Sequence, residues 1–249
     1  MWRERFDRYW RGIILSGLGI AAILWLAATG RLGWYVHPRY FWFTVTLCAI
    51  AAVALCAAVP AVRRAELSDA HAGARAPRPL TRALSVAGAV LLVAATAAAL
   101  LVAPPTTLSV ATAQQRQVNT GTGPAGDAPA AGADADRDAR DWAMLLRQGG
   151  GAEAEGRTAR FIGFVLPSTG GEPDLFTAAR FVVSCCAVDA QPLGVPVLAP
   201  DWADEHPEGS WVEVEGVFVA NPDVTSDQPV VLRPFAVTAI DEPDDPYVY

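Results

Sequence analysis

The chain contains no lysine, so all 19 of its basic residues are arginines. Charged residues are also missing from three long apolar stretches, residues 13–29, 41–61 and 83–103. A membrane-spanning helix needs about 20 apolar residues, whereas apolar core helices of soluble proteins usually have about 10 to 14. The three stretches therefore predict a transmembrane region over residues 1–103 with three helical spans. A cleaved signal peptide is the alternative for the first stretch, because four arginines precede it.

The sequence also lacks the common catalytic signatures. It has no glycine-rich phosphate loop, no dinucleotide-binding glycine pattern and no Gly-x-Ser-x-Gly nucleophile motif. His37 and His71 have no plausible catalytic partner nearby in sequence, and His206 lies in a predicted turn. The apolar stretches hold no ionisable residue, although such residues usually mark a transport path through a membrane. We therefore predict a protein that is not an enzyme, that has no catalytic residues and that is not itself the transporting subunit.

The arginines predict the orientation of the chain in the bilayer. Four precede the first apolar stretch and five lie between the second and third, but only Arg31 and Arg39 separate the first from the second. Because basic residues stay on the cytoplasmic side, the N-terminus and the 62–82 loop are predicted to be cytoplasmic. Three crossings then place residues 104 onward outside the cell membrane. The protein is thus predicted to be multi-pass, with an extracytoplasmic C-terminal domain.

The net charge of the chain changes from positive to negative after residue 103. Residues 1–103 carry 11 arginines against 4 acidic residues, whereas residues 104–249 carry 8 arginines against 22 acidic residues. Nucleic-acid binding needs basic side chains that neutralise phosphates, so the acidic half excludes it. The partners predicted from the residues are therefore the lipid bilayer and other proteins, and no nucleic acid.

The part after the spans divides into a linker and a domain. Residues 104–136 are mostly small or polar, which predicts a flexible linker. Residues 137–249 are the predicted extracytoplasmic domain, beginning with a short amphipathic helix over 137–147. Its β core, residues 158–249, alternates apolar and polar residues between turn signals, which is typical of a small all-β fold, and an OB-like barrel is the preferred form. The predicted strands are 159–165, 180–184, 211–220 and 230–240, and Pro234 predicts an edge or a bulge in the last.

The four cysteines fall into two groups. Cys48 and Cys56 lie in the second apolar stretch and are expected to be packing residues. Cys185 and Cys186 are adjacent in the predicted domain, and Asp189 follows closely. Neighbouring residues of a strand point to opposite faces, so both sulfurs could share a ligand only at a turn or bulge.

Three interpretations of this segment remain open. The cysteines could be structural, they could form a zinc or other soft-metal site with Cys185, Cys186 and Asp189 as candidate ligands, or they could form a vicinal disulfide or redox pair. A full structural zinc site needs four ligands, so further ligands would have to come from carboxylates, a partner or a second copy. Apart from this candidate metal site, the sequence predicts no cofactor.

Several segments together resemble the YcgQ-like family of bacterial membrane proteins, which are described as predicted permease subunits. The resemblance is carried by YVHPRYFWF at 35–43, by RFVVSCCAVDAQPLGVPV at 180–197, by WVEVEGVF at 211–218 and by DEPDDPYVY at 241–249. It implies a multi-span permease as partner, and it places the family's Cys-Cys and Asp on Cys185, Cys186 and Asp189. The expected function is an accessory, non-enzymatic subunit whose β domain binds a partner or ligand. The alternative is a stand-alone cell-surface metal-binding or thiol-redox protein.

Overall fold

The computed structural model describes residues 2–70, 87–88, 91, 93–98, 106–116, 118–119, 134–148, 151–168 and 170–249. The chain forms two compact units, which we call the helical unit and the β domain. The helical unit comprises Met1–Gly33 and Pro38–Thr106, and the β domain comprises Trp34–His37 and Thr107–Tyr249. The short segment 34–37 therefore belongs to the β domain, although it lies between two helices of the helical unit in sequence.

The helical unit contains α1 (Trp2–Ala28) and α2 (Phe41–Ala70). The stretch Pro38–Pro60 is long and apolar enough to cross a membrane, and only a small part of its surface is buried. Trp42 and Val53 are 83% and 71% exposed. A core helix of a soluble protein would bury such side chains, because their transfer from water is favourable. This exposure favours a lipid-facing helix.

The prediction of three spans is only partly supported. In the described residues one helix meets the length and hydropathy needed for a span, and it contains most of the predicted 41–61 stretch. The first stretch corresponds to Gly12–Ala28, a shorter apolar segment of 17 residues. Most of the third stretch, 83–103, lies outside the described residues.

The β domain begins with two helices that pack on its strands. Part of the predicted linker forms α3 (Val110–Gln114), in which Ala113 is fully buried. The predicted amphipathic helix is present as α4 (Ala139–Arg147), and the Asp138 side chain caps it by accepting a hydrogen bond from the backbone N–H of Asp141. Trp142 on α4 is completely buried, with its ring 5.0 Å from that of Phe218. The remainder of the predicted linker lies largely outside the described residues.

The prediction of an all-β domain is confirmed, and its strands form one sheet. In the described residues its strands are β1 (Thr158–Pro167), β2 (Leu175–Val182), β3 (Gln191–Leu198), β4 (Trp211–Ala220), β5 (Val230–Ile240) and β6 (Tyr247–Val248). The strand order is β1-β4-β5-β3-β2-β6, and β1 also pairs with β2. The β3–β5 and β2–β6 pairings are parallel, and the others are antiparallel. A single turn of helix, α5 (Trp202–Glu205), connects β3 to β4.

The last long strand carries the irregularity that its proline predicts. The register between β4 and β5 shifts at Gly216, which lies opposite Pro234, while Glu215 lies opposite Ala236. Phe235 is the extra residue of this bulge, and it is 68% exposed. A Cβ atom on Gly216 would lie 2.5 Å from the carbonyl oxygen of Arg233, so only glycine fits at this close approach.

Strand β3 is absent from the sequence-based prediction, although it is buried over most of its length. Pro192 and Pro196 lie within it, and proline is generally avoided in central strands because it cannot donate a ladder hydrogen bond. Gly194 allows the strand to pass close to β2, since a Cβ there would lie 2.8 Å from the Ala178 carbonyl oxygen. Close packing against β2 therefore outweighs the low β-strand propensity of the proline and glycine residues in β3.

Candidate functional site

The candidate cysteines lie on a tight turn, which we call the cysteine turn (residues 184–189), between β2 and β3. The turn brings the two sulfurs to the same side, with Cys185 Sγ 3.5 Å from Cys186 Sγ. Both residues are free thiols, Cys185 is exposed and Cys186 is half-buried. The geometry that sequence analysis required for a shared ligand, a turn in place of a regular strand, is therefore present.

Asp189 organises the cysteine turn from within. Its carboxylate accepts hydrogen bonds from the backbone N–H groups of Ser184 (3.2 Å), Cys185 (2.7 Å) and Cys186 (3.4 Å). Where β2 ends, these N–H groups no longer have hydrogen-bond partners on a neighbouring strand, and the carboxylate accepts their hydrogen bonds instead. This stabilises the turn because a backbone N–H without a partner costs free energy. To serve as a metal ligand, Asp189 would have to share or give up these contacts.

The thiol and the carboxylate alter each other's ionisation. Burial raises the pKa of Asp189, but hydrogen bonds from the Cys185 thiol and from the backbone N–H groups of the turn outweigh burial, and the net pKa is lowered. The hydrogen bond to Asp189, followed by the one to Cys186, raises the pKa of the Cys185 thiol from 9.0 to about 12. A thiolate at Cys185 would face a nearby carboxylate, so the protonated thiol is the favoured form at neutral pH.

The loop between α1 and α2 pairs with the cysteine turn. Val36 forms an antiparallel bridge with Cys186. The backbone N–H of His37 donates to the Cys185 carbonyl (3.0 Å), and that of Ala187 donates to the Tyr35 carbonyl (2.9 Å). The cysteine turn is therefore held on one side by Asp189 and on the other by the segment 34–37.

The sequence-based prediction does not contain this pairing. It placed segment 34–37 in an outer loop and the cysteines in a separate domain, about 150 residues later in the chain. Neither periodicity nor spacing relates such distant segments. The one available signal was that both segments are among those that carry the family resemblance.

The C-terminal residues pack beside the same turn. Val183 donates its backbone N–H to Val248 (3.0 Å), and the rings of His37 and Tyr249 are 4.8 Å apart. Arg180 on β2 donates from Nε to the Pro246 carbonyl (3.1 Å) and from a terminal nitrogen to the Tyr247 carbonyl (3.2 Å). Arg180 therefore anchors this segment through charge-assisted hydrogen bonds.

The described residues contain no group of three or more His, Cys, Asp or Glu side chains placed to hold a metal ion. The cysteine turn offers two thiols and an internally bonded carboxylate. His206 lies elsewhere, at the end of α5, where it is buried and lines a small cavity with Trp202 and Phe235. The structure therefore brings Cys185, Cys186 and Asp189 together, and within the part of the chain that it describes they form no metal-binding group with a histidine.

A larger groove lies on another part of the β domain. It has a volume of about 520 Å³ and is lined by residues that include Asn119, Arg147, Glu172 and Asp227. The Glu172 carboxylate accepts hydrogen bonds from the hydroxyls of Ser168 and Ser226, which lower its pKa. These contacts join two loops, so the lowered pKa of Glu172 is explained by a structural role. The groove also borders chain segments outside the described residues.

Comparison with known families matches one part of the chain. Residues 151–249 match the family model described as the DUF1980 C-terminal domain. The matched region contains all six strands and the cysteine turn, and the match is consistent with the resemblance to YcgQ-like proteins. No curated protein gives a sequence match to the chain.

Proposed function

We propose that this chain is an accessory, non-enzymatic membrane subunit of a multi-span permease, with an extracytoplasmic β domain that binds a partner or ligand. The permease part of the proposal rests on the resemblance to YcgQ-like proteins, and the observation that supports its membrane-bound β domain is the bridge between Val36 and Cys186. Through it the chain enters the β domain twice, once between α1 and α2 and again from residue 107 onward. A domain that needed only an anchor would require one tether, whereas two connections suit a domain held close to the membrane.

The same bridge supports the proposed topology. Residues 34–37 and 107–249 belong to one domain, so they lie on the same side of the bilayer. The span Pro38–Pro60 takes the chain to the other side, and a return before residue 107 needs another crossing. The apolar stretch 83–103 is the segment suited to that return. With the arginine distribution, this gives a multi-pass protein whose N-terminus is cytoplasmic.

Reporter fusions test this topology. Alkaline phosphatase fused after Ala103 is expected to be active, because the enzyme needs an extracytoplasmic location, and a cytoplasm-only fluorescent protein at that position is expected to be dark. Fusions after Ala70, in the predicted cytoplasmic loop, are the control and should give the reverse pattern. A fluorescent, phosphatase-negative fusion after Ala103 would overturn the orientation.

The ladder pairings also support the proposed OB-like barrel. The strand β1 pairs with both β2 and β4, and β3 pairs with β5 through Val197 and Leu232. An OB fold is a five-stranded, partly open Greek-key barrel, and its strand faces and loops are ligand-binding surfaces. Backbone nuclear Overhauser effects between Val197 and Leu232 would check the closing pair.

Partnership is tested by purification from the native host. We expect the chain to co-purify in mild detergent with a multi-span permease encoded near it, because its apolar stretches are rich in small residues that allow close helix packing. Native-level expression is essential, since overproduction would leave the chain in excess of its partner. Recovery of the chain alone, with the neighbouring gene expressed, would count against the subunit proposal.

A second candidate function rests on the two thiols. Two thiolates on a tetrahedral ion, with metal–sulfur distances of about 2.3 Å, lie about 3.8 Å apart. The observed Sγ–Sγ distance of 3.5 Å is close to this value. The alternative proposal is therefore a stand-alone cell-surface metal-binding or thiol-redox protein that uses Cys185 and Cys186. The thiol-binding experiment described at the end of the Discussion tests it.

A further inference from the structure

We infer that the cysteine turn, with its exposed Val188, is the membrane-contacting end of the β domain, so that both thiols lie at the membrane–water interface. The inference rests on the proposed membrane function, because it takes Pro38–Pro60 to be a true span. The candidate site would then lie at the membrane surface, with Val188 in the lipid headgroup region.

Segment 34–37, which pairs with the cysteine turn, is joined directly to the span. Val36 pairs with Cys186, and the span begins at Pro38, two residues later. Consecutive Cα atoms are about 3.8 Å apart, so the bridge lies within about 8 Å of the end of the span. The polar layer on each side of the hydrocarbon core is about 5 to 8 Å thick. The cysteine turn therefore cannot be far from the headgroups.

The cysteine turn and the segment paired with it expose one apolar and one aromatic side chain. Val188 is 83% exposed and Tyr35, on the paired segment, is 37% exposed. Single exposed apolar residues are common on protein surfaces, but an aromatic residue beside an exposed apolar one is typical of membrane interfaces. The Asp189 carboxylate is turned inward onto backbone N–H groups. A cation, Arg116, donates hydrogen bonds to the carbonyls of Val188 and Ala190, and its charge suits headgroup phosphates.

The opposite end of the β domain supplies a matched control. Val224 is also an exposed valine in a loop, at 93%. Its loop is joined to Glu172 through Ser226 Oγ (2.7 Å), and Glu172 lies before the start of β2. The cysteine turn follows the end of β2, and eight residues at about 3.3 Å each separate the two ends by roughly 25 Å. Val224 should therefore lie in bulk water.

Spin labelling of the full chain in phosphatidylcholine vesicles tests the inference. In a variant with all four native cysteines replaced (C48A, C56A, C185S and C186S), a nitroxide is attached to Val188→Cys, Val224→Cys or Val53→Cys. Power saturation then compares collision with oxygen, which is concentrated in lipid, and with a water-soluble nickel chelate. We expect collision with nickel at position 188 to be at least fivefold lower than at position 224. Neutral lipids are chosen because the acidic half of the chain would be repelled by anionic ones.

The label at position 53 separates the two proposals. If it collides mainly with oxygen while position 188 is as accessible to nickel as position 224, the span stands and the interfacial location is overturned. If position 53 is itself accessible to nickel, the proposed membrane function and the inference both fail. If Val188→Cys does not fold, Tyr35→Cys carries the same expectation, because Tyr35 lies on the segment paired with the turn.

Discussion

Replacing Asp189 with asparagine is expected to speed alkylation of Cys185 by up to about 30-fold at pH 8. The pKa of the thiol is about 12, against an ordinary 9.0, and the hydrogen bond to Asp189 is the largest cause. Restoring the ordinary value in full would raise the thiolate fraction roughly a thousandfold, and this is an upper limit because Cys186 also contributes to the raised pKa. A less basic thiolate is also a weaker nucleophile, with a Brønsted slope of about 0.4–0.5. For a fall of three pKa units this lowers the rate of each thiolate by about 1.5 logarithmic units, so about 1.5 of the three units gained in thiolate fraction remain.

The measurement is a pH–rate profile for iodoacetamide on the full chain in detergent. A C48A, C56A and C186S background leaves Cys185 as the reactive thiol in both proteins. We expect the midpoint to move down by at least one pH unit in Asp189→Asn. Because Cys185 is already exposed, a loosened turn would change the rate without moving the midpoint.

Asp223→Asn is the matched control. Asp223 also organises a turn, where it accepts hydrogen bonds from the backbone N–H (2.9 Å) and hydroxyl (2.7 Å) of Thr225, and its pKa is also lowered. It lies in the loop of Val224, away from the cysteines, so the Cys185 profile should stay unchanged. An unchanged midpoint in Asp189→Asn would show that the carboxylate does not hold the thiol protonated.

The strand pattern explains how much of the fold is readable from sequence. β4 was predicted with correct bounds because Val212 and Val214 are buried while Glu213 and Glu215 face outward, a period of two that local sequence displays directly. β5 was also predicted with correct bounds, and Pro234 located its bulge. The start of β2 was predicted five residues late, at Arg180 instead of Leu175, because this strand is buried on both faces and shows no alternation.

The candidate site, too, could be predicted only in part from the sequence. The residue types and spacing of Cys185, Cys186 and Asp189 were visible in sequence, and the need for a turn followed from strand geometry. The three backbone contacts of Asp189 and the bridge to Val36 were not visible. They depend on where β2 ends and on a segment that lies before α2, and tertiary pairing of this kind leaves no periodic pattern in the chain.

The thiol pair itself is expected to bind one equivalent of phenylarsine oxide. The two thiols would condense with the trivalent arsenic to form two As–S bonds and one water, with no net release of protons. The Sγ–Sγ distance of 3.5 Å allows both sulfurs to reach one atom without breaking the turn. Zinc or cuprous copper would instead require thiolates and would release protons on binding. Because the pKa of Cys185 is raised to about 12, binding of these ions should strengthen as the pH rises.

Calorimetry on the reduced full chain, in buffers of different ionisation enthalpy, separates these cases. A C48A and C56A background leaves the turn thiols, and C185S and C186S in that background give the matched control. We expect a buffer-independent heat for the arsenical and a buffer-dependent heat for the metal ions, and the latter should grow in Asp189→Asn because its thiolate is easier to form. With two free thiols confirmed by titration, absence of heat for the arsenical and for both ions would reject a dithiol site. The cysteines would then be packing residues of a turn whose role is to hold segment 34–37.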